Sequence, residues 1–124
     1  MSARRNPRVA IIGAGMSGIC TAAKLRAAGV DDIVIYEKAD QVGGTWRANT
    51  YPGLSCDVPS RYYSYTFAPN PHWTRWFSPG AEIHAYLQRV ARELDLERHI
   101  RFGTEVDQAE WTAGGAWRVR TKAG

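Results

Sequence analysis

Cysteine is scarce in this chain. The two present, Cys20 and Cys56, form no CxxC pair and sit beside no histidine cluster. A disulfide scaffold and a zinc module are thereby excluded as sources of stability. The three histidines, His72, His84 and His99, lack metal-ligand spacing, so no metal site is expected, and His84 and His99 read as surface residues around a helix. Long hydrophobic runs are missing too. The opening one, Val9-Ala10-Ile11-Ile12, is cut by glycine after four residues, which fits neither a secretory signal nor a membrane span. No block of like charge occurs: the net charge is +4, but Arg4, Arg5, Arg8, Arg89, Arg92, Arg118 and Arg120 are scattered, so nucleic acid is not an expected partner. There is no internal repeat and no low-complexity tract. With 124 residues, 44% of them hydrophobic, the chain can build one small core but not two dinucleotide sites. The cytoplasm is the default compartment.

What is present is concentrated between Val9 and Glu37. An apolar run of four feeds Gly13-Ala14-Gly15-Met16-Ser17-Gly18, a helical stretch follows, and a second apolar run, Ile33-Val34-Ile35-Tyr36, ends in Glu37. That is the order of a βαβ unit that holds a dinucleotide. Gly13 lets the chain turn off the first strand, Gly15 lets a pyrophosphate approach the backbone, and Gly18 lets helix and strand pack closely. The N–H groups that open the helix have no partners within it and point at the anion, with the helix dipole adding to the attraction. Glu37, 19 residues past Gly18, can accept hydrogen bonds from both adenosine ribose hydroxyls. It would repel a 2′-phosphate, so FAD or NAD suits the site better than NADP. A glycine-rich turn in an unrelated α/β protein is the plainer alternative.

The remaining chain reads in order as follows. Residues 1–7 form a polar, flexible leader, and residues 8–37 the βαβ unit, with its helix over 16–28. Residues 39–79 make a long excursion full of turn residues, yet they hold nine of the fourteen aromatics: Trp46, Tyr51, Tyr62, Tyr63, Tyr65, Phe67, Trp73, Trp76 and Phe77. Disordered segments are aromatic-poor, so this loop is expected to fold over a flat ligand, most of its rings forming a satellite core. Ser78-Pro79 reads as a cap and first turn for a helix over 79–95, with Ile83, Tyr86, Leu87, Val90, Ala91 and Leu94 on its core face. A short strand at 100–102 and a hairpin, 105–112 with 116–121, complete the unit over 100–121.

From Gly43 onward the sequence resembles one family. Gly43-Gly44-Thr45-Trp46, Tyr51-Pro52-Gly53, Cys56-Asp57-Val58-Pro59-Ser60 and Tyr62-Tyr63-Ser64-Tyr65 are similar to the N-terminal region of class B flavoprotein monooxygenases, above all the Baeyer–Villiger and flavin-containing monooxygenases. The resemblance implies an α/β fold, a Rossmann-like three-layer FAD-binding domain with a parallel sheet, helices and a β-meander. It implies FAD as the ligand, with the pyrophosphate on Gly13, Gly15, Ser17 and Gly18 and the ribose on Glu37. Gly44, Thr45, Trp46 and Tyr63 would then line the flavin, Asp57 would lie near the isoalloxazine where NADPH arrives, and the backbone of Val106 would meet the adenine. Asp57 could equally be a turn-capping aspartate. No catalytic residue is assigned beyond a supporting role for Asp57.

The family uses NADPH to reduce FAD and O2 to make a flavin peroxide, which oxygenates an organic substrate at a ketone or a soft heteroatom; the oxygen chemistry is the flavin's. Family members continue into a second glycine-rich motif for NADPH and further catalytic parts that this sequence lacks. The expectation is therefore an N-terminal portion, incomplete at its C-terminus and inactive alone, with an uncovered hairpin face and sheet edge. The rivals are a non-catalytic dinucleotide-binding module or inert remnant, and part of an NAD-dependent dehydrogenase, against which GGTW and the aromatic loop argue.

Overall fold

The computed structural model describes residues 6–124. Most of the leader expected over residues 1–7 lies outside the described residues; Asn6 is exposed and its side-chain amide donates to the Gly29 carbonyl at 3.2 Å.

Apolar β-branched residues dominate the first two strands. Strand β1 (Val9–Ile12) runs parallel to β2 (Ile33–Tyr36), with Val9 opposite Ile33 and Ile12 opposite Tyr36. Helix α1 (Met16–Ala27) makes the crossover. Parallel strands need such a crossover, because a tight turn can join only antiparallel neighbours. Helix α1 docks with small residues. Its fully buried positions are Ile19 and Ala22 beside Gly18, and a Cβ on Gly18 would overlap the Gly13 carbonyl oxygen. The helix therefore approaches the strand at backbone distance.

Turn residues follow β2, then a short helix, α2 (Thr45–Ala48), interrupts the stretch read as irregular. Helix α3 (Gly80–Glu93) is strongly two-faced, burying Ile83, Tyr86, Leu87, Val90 and Ala91. Each such side chain withdrawn from water contributes about 1.5–3 kcal/mol. The helix begins at Gly80 after Pro79, and Ser78 is not its cap. The Ser78 hydroxyl is buried and bonded to that of Ser60, which also donates to the carbonyls of Arg75 and Trp76. That pairing ties the ends of the 60–78 loop together, and no side chain caps the helix.

The helix ends at Glu93, and Asp95 turns the chain at φ 54°. A 3-10 turn (Glu97–His99) leads into β3 (Ile100–Arg101), which pairs parallel to β2 and gives a three-stranded sheet in the order β1-β2-β3. His99, expected on the surface, is instead buried beneath this turn, and its Nδ1 donates to the Ile33 carbonyl at 3.0 Å. The 3-10 turn directs it inward because Leu96, fully buried, anchors the turn against the core.

Helices cover one sheet face, where Ile11, Ile33 and Ile35 join Ile19, Ile83 and Leu87 in the core. The opposite face is open: Ala10 is exposed and Ile12 is 61% exposed. Strands β4 (Val106–Trp111) and β5 (Trp117–Thr121) form a separate antiparallel hairpin with a register shift between Val106 and Gln108. These two strands are what the described residues hold of the expected meander. One hairpin face is charged, with Asp107 paired to Arg120; the other carries Ala109, Val119 and the cross-strand pair Trp111 and Trp117, whose rings meet edge-on at 5.5 Å while both stay mostly exposed.

Candidate dinucleotide-binding site

The site is built where β1 runs into α1. Gly13 takes φ +98°, a conformation open to glycine, and its N–H still donates to Tyr36 O, so the turn starts while the strand ladder is intact. Gly15 is the N-cap and offers no side-chain oxygen to the helix. Among the described residues, the N–H groups of Gly15, Met16, Ser17 and Gly18 have no protein partner; the first N–H satisfied inside the helix is that of Ile19, bonded to Gly15 O at 3.1 Å. No acidic side chain occupies the first turn, while Lys24 and Arg26 lie in the last. Free donors, a positive helix end and no competing carboxylate make this turn fit for a phosphate anion.

Glu37 closes the other side. Its carboxylate is 7% exposed, with Oε1 accepting from the Ala14 N–H at 3.0 Å and Oε2 from the Ala39 N–H at 2.8 Å. Sequence spacing leads to the expectation of a ribose acceptor at Glu37; the structure shows it clamping the glycine loop to the end of β2. Each oxygen keeps a second lone pair, so the two roles are compatible. The Glu37 backbone is also fixed, with its N–H on Arg101 O and its carbonyl accepting from Thr104. This last bond leads the chain toward Val106, half-buried at the start of β4.

Gly43 and Gly44 cross the glycine loop. The Gly43 N–H donates to Ala14 O at 3.0 Å, and a Cβ built on Gly44 would stand 3.1 Å from the Gly15 Cα. The missing side chain of Gly15 thus lets a distant backbone segment pass. Thr45 and Trp46 open α2 directly after this crossing, Thr45 exposed and Trp46 half-buried. The Trp46 indole donates to the Tyr63 hydroxyl at 3.1 Å, and the rings meet at 81° with centroids 5.8 Å apart. Trp46 also walls a cavity of about 230 Å3 together with Tyr51, Leu54, Gly80 and His84. Asp57 is not drawn into this group; it is exposed and has no hydrogen bond or ion pair among the described residues. The loop's remaining rings divide. Tyr65 stacks on Phe67 at 4.8 Å, and Trp73 packs against Tyr86 at 5.1 Å, forming a satellite core; Tyr51, Tyr62 and Trp76 are exposed.

Two contributions escape the sequence reading. The Tyr65 hydroxyl donates to Met16 O in the first turn of α1, and the Tyr65 N–H is held by the Tyr86 hydroxyl at 2.9 Å, so the aromatic loop is latched to the helix start. Burial pushes the Tyr65 phenol well above its ordinary value, with neighbouring Cys20 and Tyr86 adding to the rise. The second is His84, whose Nε2 lies 2.9 Å from the Val42 carbonyl. Its ring abuts Gly43, whose φ of +130° marks a position where a side chain is excluded. An open groove of about 660 Å3 runs along the outer side of α1 from Met16 and Ser17 to Lys24. It is larger than the Trp46 cavity, but its lining includes neither Glu37 nor any of the Gly13–Gly15 turn.

A sequence profile described as NAD(P)-binding Rossmann-like domain matches residues 11–79, more than half of the chain. The chain belongs to that family. This Rossmann-like domain is 49% identical over 118 residues to a Baeyer–Villiger monooxygenase of Streptomyces coelicolor, covering 94% of this chain and 23% of the relative. Among solved structures it superposes on an oxidized steroid monooxygenase bound to NADP with a TM-score of 0.89 at 40% identity, over 94% of this chain and 23% of the other. It also superposes on OTEMO in complex with FAD and NADP, with a TM-score of 0.85 at 32% identity, over 93% and 22%. The Rossmann-like domain thus spans about a quarter of the length of these relatives. No helix among the described residues is long and apolar enough to cross a membrane.

Proposed function

We propose that this Rossmann-like domain is the FAD-binding portion of an NADPH- and O2-dependent flavoprotein monooxygenase of the Baeyer–Villiger type. One observation carries the reading: four unpartnered N–H groups, of Gly15 to Gly18, open a helix beside a buried carboxylate that is bonded into the same loop. A diphosphate would accept from those N–H groups, and Glu37 would accept from the ribose with its free lone pairs. Trp46 and Tyr63 would give the flavin a flat, partly apolar wall, Gly44 and Thr45 would let the backbone approach it, and the segment after Thr104 would bring Val106 toward the adenine. Asp57, exposed and unpaired, would be available to the nicotinamide side. FAD supplies the redox chemistry when bound, NADPH and O2 being its partners and an organic substrate the acceptor; these residues bind and orient it. Residence in the cytoplasm agrees with two free thiols, Cys20 and Cys56.

The test is reconstitution. Purified chain titrated with FAD should quench flavin fluorescence saturably, NAD should compete weakly and NADP not at all; a flat titration with FAD would overturn the assignment.

A further inference from the structure

Ala14 is gripped at both ends. Glu37 Oε1 takes its N–H, and Gly43 gives an N–H to its carbonyl. The second grip matters for direction. A trans peptide is planar, with its C=O and the following N–H pointing opposite ways. Holding Ala14 O toward Gly43 therefore turns the Gly15 N–H away from Gly43, into the space before the helix. Whatever holds Gly43 in place aims the first phosphate donor.

Gly43 cannot hold itself. At φ +130° it has no side chain to pack, and the next residue, Gly44, is also a glycine at positive φ. Two consecutive glycines are the softest backbone in the site. The segment is anchored on one side by Val42, which is buried. On the other, the Gly43 and Gly44 carbonyls accept from the N–H groups of Trp46, Arg47 and Ala48 in α2. The peptide entering Gly43 has its own brace, His84, reaching from the second turn of α3. The acceptor is a carbonyl, so the imidazole Nε2 carries the hydrogen and donates to Val42 O at 2.9 Å. The same ring fills the space that a Gly43 side chain would occupy: a Cβ there would lie 2.6 Å from the His84 Cδ2. Helix α3 is well buried through Ile83 and Leu87, the neighbours of His84 along the helix, so His84 is mounted on a rigid support.

We propose that His84 is a positioning residue for dinucleotide binding, holding the Val42–Gly43 turn so that Gly43 orients the Ala14–Gly15 peptide toward the pyrophosphate. The inference rests on the FAD reading for its ligand but not for its mechanics. Both neutral and protonated imidazole can present Nε2–H to Val42 O, so the brace works by geometry.

The experiment uses the whole chain with His84→Leu, which fills similar space without a donor, and His84→Gln, whose amide nitrogen reaches a similar distance. FAD affinity is read by flavin fluorescence, and the Gly43 amide by hydrogen exchange in the ligand-free protein. His84→Leu should weaken FAD binding and speed Gly43 exchange, each about tenfold, the scale of one lost hydrogen bond. His84→Gln should stay within about threefold of the parent in both, as one hydrogen bond is kept. If His84→Leu matches the parent in both readouts, or His84→Gln falls as far as His84→Leu, the brace is refuted. If the parent binds no FAD, the ligand assignment fails, and Gly43 exchange in the two variants still decides whether His84 holds the turn.

Discussion

Replacing Glu37 separates a residue that only meets a ligand from one that also holds the protein together. Its two oxygens satisfy the N–H groups of Ala14 and Ala39, and the side chain is 7% exposed. Glu37→Ala removes two hydrogen bonds to a charged acceptor, each worth roughly 1.5–3 kcal/mol, so the ligand-free protein should lose about 3–6 kcal/mol. Small domains have only about 5–15 kcal/mol in total. At roughly 4 °C per kcal/mol for a domain of this size, the melting midpoint should fall by about 12–24 °C. Glu37→Gln keeps one carbonyl acceptor and turns an NH2 toward the other N–H, so it should lose about half as much. The comparison needs an acid without partners. Glu82 does not serve, because it accepts from the Thr74 N–H at 2.9 Å and the Thr74 hydroxyl at 2.6 Å. Glu97, exposed on the 3-10 turn, does. The assay is thermal unfolding followed by circular dichroism without nucleotide. Glu37→Ala and Glu37→Gln melting within about 2 °C of the parent, alongside Glu97→Ala, would refute the clamp, since one lost bond should shift the midpoint by more.

Gly18→Ala should be among the most damaging single-methyl additions, because the new Cβ meets backbone, the Gly13 carbonyl, rather than a side chain that can move. A loss of about 3 kcal/mol or more in urea unfolding is expected, and an unchanged midpoint would contradict the close packing of α1 on β1. High pH should also unfold the protein through Tyr65. Its buried phenol titrates above the ordinary 10.0 of the unfolded chain, so stability is intact below about pH 10 and falls as the pH rises beyond it. Tyr65→Phe should lessen that alkaline slope, though not abolish it, because burial raises Tyr86 as well; a slope identical to the parent's would show that Tyr65 is not held as described.

The parts of this site legible in the sequence are those that local geometry dictates. A glycine turn between an apolar strand and a helix has one common use, and Glu37 follows β2 at the distance the crossover requires. What stayed hidden depends on segments far apart in the chain. Gly44 meets Gly15 backbone to backbone, and glycine leaves no side-chain pattern to reveal a partner. His84 reads as a surface residue of an amphipathic helix, and only the path of the Val42–Gly44 turn gives it an acceptor. His99 looked solvated because it stands among Glu97, Arg98 and Arg101, whereas the 3-10 turn rotates it under Ile33. Ser78 has the composition of a cap, but its hydroxyl found Ser60 first.

The bare crossing of Gly15 and Gly44 bears on how this unit can be cut and moved. The first 37 residues look like a transplantable cassette, yet their turn is shaped from above by a strand of chain that arrives later. A graft carrying the βαβ segment without residues 42–47 would bring the correct letters and a loop free to settle elsewhere. Recombination that respects the fold should place its junctions outside both glycine pairs, treating the two stretches as one inherited piece.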